Sequence, residues 1–122
     1  MTDYRDGYFP INVSLLAASS DSVSSPNRKY RAVMQGDGNF VLSRLDNGKV
    51  LWSSETTGKG KRAIMQGDGN FVIYDAANKA VFATNTTPEP QFQAFLVLQD
   101  DGNLVMYQYK KQPLWATYTA VK

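Results

Sequence analysis

Gln66-Gly67-Asp68-Gly69-Asn70-Phe71-Val72-Ile73-Tyr74 is one of three copies of a nine-residue pattern, Gln-x-Asp-Gly-Asn-x-Val-x-(Tyr or Ser), in which x varies. The other copies occupy residues 35–43 and 99–107, which gives a period of about 32 residues. A period of this size is typical of folds built from repeated units that bury a shared core only when they pack together. The sequence therefore predicts three equivalent units with one kind of site in each.

Length and charge limit the possible classes of protein. At 122 residues with 43% hydrophobic content, residues 1–122 are predicted to form a single domain. Lys and Arg exceed Asp and Glu by little, and the formal net charge is +2. This balance lacks the concentrated positive charge that steers a domain onto nucleic acid. We therefore expect no nucleic-acid partner.

The chain contains neither cysteine nor histidine. These absences exclude a disulfide framework and a thiol nucleophile, and they remove the commonest zinc ligand and general base. We therefore predict no metal site, no cofactor and no catalytic residue.

The start of the chain does not resemble an export signal. Residues 1–6 have neither a basic start nor an apolar run, and no stretch approaches the ~18 apolar residues of a membrane span. Together with the absence of cysteine, this predicts a protein without membrane insertion that is cytoplasmic or exported by a non-classical route.

The apolar residues alternate with polar ones in short runs separated by Gly, Asn, Asp and Pro, which predicts an all-β fold. The candidate strands, three in each repeat, are residues 30–35, 39–44, 50–53, 62–66, 70–74, 80–84, 92–99, 103–109 and 113–118. Residues 17–26 are rich in Ser, Ala and Asp and are predicted to form a loop, because short polar side chains compete for backbone hydrogen bonds. An N-terminal extension of about residues 1–11 precedes the repeats, and the apolar content of residues 1–16 predicts at least one docked strand.

The last predicted strand of each repeat carries an aromatic residue at an equivalent position, namely Trp52, Phe82 and Trp115. Aromatic residues that recur once per unit most often pack together on a shared axis. We predict this packing role, and direct stacking on a ligand is the alternative.

The shape of the motif decides what it can bind. As one straight strand, nine residues would extend over about 26 Å, and no small ligand could touch both ends. The central Asp-Gly-Asn instead predicts a hairpin, because Gly accepts a positive φ and Asn and Asp tolerate one. Gln66 then ends one strand, Asp68 and Asn70 flank the turn, and Tyr74 lies on the returning strand. Alternation places Asn70, Val72 and Tyr74 on the outer face, and Phe71 and Ile73 on the core face.

The outer face of this hairpin combines a carboxylate, two amides, a phenol and a small apolar side chain. Carboxylates accept hydrogen bonds, amides donate and accept, and a phenol does either, so the set matches the hydroxyls of a neutral sugar. A few hydrogen bonds of about 1 kcal/mol net each give roughly millimolar affinity. Useful binding then requires several sites at once.

The three copies, each followed by an aromatic-Ala/Ser-Ser/Thr segment, resemble the bulb-type monocot mannose-binding lectin family over roughly residues 12–120. The resemblance implies a β-prism II fold, in which three antiparallel sheets surround a pseudo-threefold axis with one potential mannose pocket per sheet. It also implies a non-catalytic lectin, an agglutinin for mannose-containing glycans or glycoproteins.

The resemblance implies a role for each motif residue. Gln, Asp, Asn and Tyr bind sugar hydroxyls, and the apolar Val contacts the sugar ring. The two complete carbohydrate-binding sites are Gln66, Asp68, Asn70, Val72 and Tyr74, and Gln99, Asp101, Asn103, Val105 and Tyr107. The first copy offers a weaker site formed by Gln35, Asp37, Asn39 and Val41. Ser43 stands there in place of Tyr, and its short side chain loses one hydrogen bond or makes it through water.

Family members often dimerise by exchanging the C-terminal strand. Residues 113–121 supply an apolar strand for such an exchange, so the resemblance implies a homodimer.

Two other classes of function compete with the lectin. One is a protein-interaction or structural module on the same fold with reduced or lost sugar binding. The other is a glycosidase, which needs two carboxylates about 5 to 9 Å apart on one sugar. Each copy offers one carboxylate, and the neighbouring side chains of Asp100 and Asp101 are expected to diverge. The enzyme is therefore the least favoured class.

Overall fold

The computed structural model describes residues 2–86, 93–108 and 112–120. Within these ranges the chain forms short β-strands and one 3-10 helix, η1. In chain order they are β1 (Asp3–Tyr4), β2 (Ser14–Leu16), η1 (Ala17–Ser19), β3 (Ser22–Ser24), β4 (Tyr30–Met34), β5 (Phe40–Arg44), β6 (Val50–Ser53), β7 (Arg62–Met65), β8 (Phe71–Tyr74), β9 (Ala80–Ala83), β10 (Ala94–Leu98), β11 (Leu104–Gln108) and β12 (Gln112–Ala116). No helix within the described ranges is long and apolar enough to cross a membrane.

Each repeat forms one antiparallel three-stranded unit. The units are β4-β5-β6, β7-β8-β9 and β10-β11-β12, and each lies in a different sheet. A register shift interrupts the pairing of the second and third strands in every unit. The prediction of three strands per repeat is confirmed, and the strand ends agree to within two residues. Phe92 and Tyr109, which two predicted strands included, lie outside the described residues.

Residues 2–24, the N-terminal segment, contribute to all three sheets. Strand β2 pairs with β7, β3 pairs with β4, and β1 lies parallel to β3. Tyr8 forms an isolated antiparallel bridge with Val97 of the remaining sheet. The prediction of a docked strand within residues 1–16 is confirmed, and the segment joins the three repeats instead of extending one of them.

The prediction of a loop over residues 17–26 is wrong for Ser22–Ser24, which forms β3 and is fully buried. Asp3 gives the physical reason. Its carboxylate accepts hydrogen bonds from the hydroxyls of Ser22 and Ser24, both at 2.8 Å. Because a side chain satisfies these hydroxyls, they do not compete for the backbone, and the segment is free to pair as a strand.

The core lies between the three sheets and is lined by the inward residues of each hairpin. Phe71 and Ile73 are almost completely buried there, which confirms their predicted orientation. Phe9 of the N-terminal segment packs with its ring centroid 6.0 Å from that of Phe40 and 5.5 Å from that of Phe71. The repeats and the N-terminal segment therefore share one core.

The recurrent aromatic residues of β6, β9 and β12 form a triad on the shared axis. The ring centroid of Trp52 lies 5.6 Å from those of both Phe82 and Trp115, and the contacts are edge to face. The Phe82 and Trp115 centroids are 6.4 Å apart. The predicted packing role is confirmed, because each ring contacts one ring from each of the other two units.

Candidate functional site

The motif folds into a tight hairpin that closes between its glutamine and its asparagine. In the second copy the Gly69 amide donates to the Gln66 carbonyl at 3.0 Å, and the Gln66 amide donates to the Asn70 carbonyl at 2.9 Å. Gly69 has a φ of 91°, which glycine adopts without a Cβ penalty. The predicted hairpin is confirmed with one correction: Asp68 lies inside the turn, because the chain reverses over residues 67–69 and Asn70 already begins the return.

The aspartate and the asparagine of each copy brace the turn with one oxygen each. The Asn70 amide donates to Asp68 Oδ1 at 3.0 Å, and the Asn85 amide donates to Asn70 Oδ1 at 2.8 Å. Among the described residues, Asp68 Oδ2 and Asn70 Nδ2 have no hydrogen-bond partner. Each hairpin therefore presents one acceptor and one donor outward. The equivalent Asp-to-Asn bonds link Asp37 to Asn39 and Asp101 to Asn103.

Residues that the sequence did not single out hold the asparagine in place. Thr86 Oγ1 donates to the Gly69 carbonyl at 2.8 Å and lies 2.8 Å from Thr84 Oγ1, which in turn donates to Asn70 Oδ1 at 3.2 Å. The equivalent residues are Ser54 and Thr56 in the first copy and Thr117 and Thr119 in the third. A Ser/Thr-x-Thr signal after the aromatic residue of every repeat would have identified them.

The first and last residues of the motif meet in the two complete copies. Gln66 Nε2 donates to Tyr74 Oη, and Gln99 Nε2 donates to Tyr107 Oη. The hairpin thus gathers the predicted polar residues of the second and third sites, as the length argument required. In the described first copy, Gln35 makes no such bond because Ser43 is too short.

The motif valines lie on the outer face but expose less surface than the sequence predicted. Val41, Val72 and Val105 are 6%, 3% and 3% exposed. Val72, for example, lies on the central strand of its sheet, directly between Ile64 and Ala83. Only a small part of each valine is therefore available to a sugar ring.

The third copy borders two cavities that meet at Tyr107. One has a volume of about 250 Å³ and is lined by Asn103 and Val105 together with residues of β12. The other has a volume of about 320 Å³ and is lined by Gln99 and by residues of β10 and the N-terminal segment. Apart from Asp101, every predicted residue of this site lines one of these cavities.

Comparisons with protein-family models and with curated proteins gave no match. Solved structures did match. The monomeric monocot mannose-binding lectins from Gastrodia elata are 36% identical to this chain, with 91% of this chain and 96% of that chain covered and a TM-score of 0.75. This chain belongs to the bulb-type monocot mannose-binding lectin family. A Marasmius oreades lectin is 30% identical to it, with 98% and 97% of the two chains covered and a TM-score of 0.86. The snowdrop (Galanthus nivalis) agglutinin complexed with methyl-α-D-mannoside is 29% identical, with 96% and 100% covered and a TM-score of 0.71.

The three sheets of this lectin form the β-prism II fold that the resemblance implied, which confirms the predicted fold class. Strand β1, which lies parallel to β3, departs from the antiparallel pairing. The prediction that the protein is not an enzyme agrees with the structures it resembles, which are lectins. The adjacent carboxylates agree with this: Asp101 Oδ1 accepts from the Asn103 amide, whereas Asp100 Oδ1 accepts from the Asn27 amide at 2.8 Å.

The three copies in this lectin differ in the residue on the preceding strand that pairs with the end of the motif. Arg62 pairs with Tyr74 and its guanidinium carbon lies 4.4 Å from the centroid of the Tyr74 ring, which is a cation–π contact. Phe95 pairs with Tyr107, with ring centroids 6.0 Å apart. Each complete site therefore supports its tyrosine with a different partner.

In the first copy Arg31 pairs with Ser43 and is held by the N-terminal segment. Its Nε donates to Ser24 Oγ at 3.1 Å, and its Nη2 lies 3.5 Å from Asp3 Oδ2. Burial acts to raise the pKa of Asp3, but the hydrogen bonds from its serine partners and the charge of Arg31 outweigh burial and hold that pKa below its ordinary value. Beside Ser43, the first copy thus has an arginine in ionic contact with the N-terminal segment, whereas the equivalent arginine of the second copy packs on its tyrosine.

Proposed function

We propose that this lectin binds mannose or mannose-rich glycans through up to three shallow pockets, one on the outer face of each sheet. The two complete pockets are Gln66, Asp68, Asn70, Val72 and Tyr74, and Gln99, Asp101, Asn103, Val105 and Tyr107. The first pocket, with Gln35, Asp37, Asn39 and Val41, is the weakest because Ser43 replaces the tyrosine hydroxyl.

One observation carries this proposal: in both complete copies, the hairpin fixes the glutamine, aspartate and asparagine side chains through one polar atom each and leaves the second polar atom of each without a partner among the described residues. Asn70 Oδ1 accepts a hydrogen bond from the Asn85 amide, which holds the side chain in one orientation and leaves Nδ2 as a donor for a sugar hydroxyl. Gln66 Nε2 donates to Tyr74 Oη, which leaves the side-chain oxygen Oε1 of Gln66 as an acceptor. Side chains that are already ordered lose less conformational entropy when a sugar binds.

The proposed pockets are weak individually. A few hydrogen bonds of about 1 kcal/mol net each correspond to roughly millimolar dissociation constants. Two or three pockets on different faces would engage separate branches or separate glycans, and this multivalency would strengthen binding.

The test is calorimetric titration with methyl α-mannoside of the wild type and of a variant that combines Asn70→Asp with Asn103→Asp. The carboxylate keeps the acceptor oxygen that holds the loop but loses the outward donor, and it places a second charge beside the motif aspartate. We expect the wild type to bind and the variant to bind at least about tenfold more weakly.

Asn47→Asp is the matched control, because Asn47 Oδ1 also accepts a backbone N–H, that of Lys49 at 2.9 Å, but lies outside the motif. It is expected to bind like the wild type. Equal binding by the double variant would refute the assigned pockets. No binding by a folded wild type would favour the protein-interaction module that the sequence left open.

We also propose that the protein forms a homodimer by exchange of its C-terminal strand. Strand β12 pairs with β11 from Val105 opposite Ala116 to Gln108 opposite Gln112, with one register shift between Met106 and Tyr107, and the same strand of a second copy could make these pairs. Val121, the end of the predicted strand, lies outside the described residues. Sedimentation at micromolar concentration tests the proposal: a dimer mass supports it, and a monomer mass, the state of the similar Gastrodia elata lectins, refutes it.

A further inference from the structure

A row of three aromatic rings lies on the outer face of the third sheet. Tyr8 and Phe95 have ring centroids 5.9 Å apart, and Phe95 and Tyr107 have centroids 6.0 Å apart. Tyr107 also borders the third proposed pocket and is bound by Gln99 there. The row therefore begins at that pocket and continues away from it toward the N-terminal segment.

The backbone fixes the outermost ring. The Phe9 amide donates to the Leu96 carbonyl at 3.0 Å, and the Leu98 amide donates to the Gly7 carbonyl at 2.7 Å. These two bonds pair the N-terminal segment with β10 and place Tyr8 beside Phe95. The Tyr8 side chain remains 51% exposed although it is held in position. An ordered aromatic ring with half of its surface open is suited to bind a ligand face.

The cavity over these rings is polar at its rim. Its volume is about 320 Å³, and Asp6 and Asp100 line it together with the three rings. Asp6 Oδ1 accepts from the Tyr8 amide at 3.0 Å and Asp100 Oδ1 accepts from the Asn27 amide at 2.8 Å. Each carboxylate is thereby oriented by one oxygen, and the second oxygen can accept a hydrogen bond.

We propose that this cavity is an extended subsite, which holds a second, neutral sugar ring of an oligosaccharide whose first ring occupies the third pocket. The inference rests on the proposed function and adds a specificity-determining feature to one pocket. A pyranose has an apolar C–H face that packs on aromatic rings and a rim of hydroxyls that donate to carboxylates. Two carboxylates at the rim disfavour anionic sugars.

The other two copies lack the elements of this subsite. Phe95 is replaced by Arg31 in the first sheet and by Arg62 in the second, and both arginines are engaged with neighbouring side chains. Tyr8 faces Val97, and at the equivalent positions the flanking strands carry Ser22 opposite Val33 in the first sheet and Ser14 opposite Ile64 in the second. The second pocket, complete in its motif, is therefore an internal reference for the third.

The test is an amide NMR titration, which reports the second and third pockets separately in one molecule. Methyl α-mannoside and an α-linked mannotriose are titrated into the wild type, Tyr8→Ala, Tyr8→Phe and Phe95→Arg. We expect the gain in affinity from monosaccharide to trisaccharide to be about fivefold larger at the third pocket than at the second. Tyr8→Ala and Phe95→Arg should remove this difference and Tyr8→Phe should retain it. Methyl α-mannoside should bind the two Tyr8 variants like the wild type.

The outcomes separate the two proposals. If methyl α-mannoside binds but the gain is equal at both pockets, or survives Tyr8→Ala, the subsite is refuted while the proposed function stands. If the monosaccharide shifts no amide in either pocket, the proposed function fails, and the subsite fails with it. Tyr8→Ala decides the matter if Phe95→Arg does not fold, because the backbone hydrogen bonds of its neighbours Gly7 and Phe9 hold residue 8 beside the sheet.

Discussion

The first and third copies of the motif share the same turn but present different surfaces. In the third copy Gln99 and Tyr107 are hydrogen-bonded, and Phe95 and the N-terminal Tyr8 extend the aromatic surface. In the first copy, Ser43 replaces the tyrosine, and Arg31 makes an ionic contact with Asp3. The motif thus fixes the hairpin, and what lies beside the hairpin determines what the pocket can hold.

The N-terminal segment causes much of this difference. It supplies a carboxylate and two serines to the first sheet, a serine to the second and an aromatic ring to the third. The three units have the same strand arrangement, but different side chains flank each of them because residues outside the repeat supply those side chains. Specificity in such a repeat protein can change through the segment that joins the units while the motif stays intact.

The largest effect is expected from breaking the turn of the third copy, which packs against the first sheet. Gly102 has a φ of 89°, and a Cβ there would lie 2.8 Å from Tyr30 Cε1. Gly102→Ala should lower the free energy of unfolding by about 3 kcal/mol, because backbone strain and a steric clash add. Urea denaturation measures this change.

Gly48→Ala is the control for that prediction. Gly48 also has a positive φ, 72°, but a Cβ there would meet no atom within 4 Å. Strain alone should cost about 1 kcal/mol. Equal costs for the two variants would show that Tyr30 accommodates the added methyl group and that no clash contributes to the effect of Gly102→Ala.

The second prediction concerns the last motif residue, which is tyrosine in the second and third copies and serine in the first. Tyr107→Ser should weaken methyl α-mannoside binding at the third pocket about tenfold, because the tyrosine hydroxyl and ring edge are lost. Ser43→Tyr should strengthen the first pocket by a smaller factor, since Gln35 stands in the position from which Gln66 reaches Tyr74. Site-resolved amide shifts report both dissociation constants. An unchanged first pocket would mean that the fixed Arg31, and not the missing hydroxyl, limits it.

The sequence predicted the repeats well, because period-two alternation and a glycine turn are local signals that three copies reinforce. Phe71, Ile73 and the aromatic triad therefore lie where alternation placed them. It did not predict β3, since the burial of Ser22–Ser24 depends on the distant Asp3. Contacts between segments far apart in the chain carry no local pattern.

The same limit applies to the candidate site. The motif residues were identified because they recur, and alternation predicted which face each of them occupies. It did not predict that neighbouring strands cover most of the valine surface. Tyr8 and Phe95 were missed because each occurs in one copy alone, and only pairing between strands brings them beside a motif. Arg31 was missed because its contact with Asp3 depends on a distant part of the chain. The repeat pattern therefore predicts the site residues that the copies have in common, but not the residues by which the copies differ.

The smallest effect tests the ionic contact of the first copy. Asp3→Asn should lower stability at pH 7 by about 1 kcal/mol, because the amide keeps part of the hydrogen bonding but loses the charge that faces Arg31. The pKa of Asp3 is lower in the folded protein than in the unfolded chain, so the carboxylate contributes stability above about pH 4. That contribution is lost as the pH falls through the folded-state pKa.

Thermal unfolding of the wild type and Asp3→Asn at pH 7 and at about pH 2 measures the effect. The melting temperatures should differ at pH 7 and approach each other in acid, as the wild-type carboxyl takes up a proton and loses its charge. A gap that persists in acid would show that Asp3 acts through hydrogen bonds to Ser22 and Ser24 alone. The distinction between the first copy and the others would then rest on Ser43 and not on the charge that the N-terminal segment places beside it.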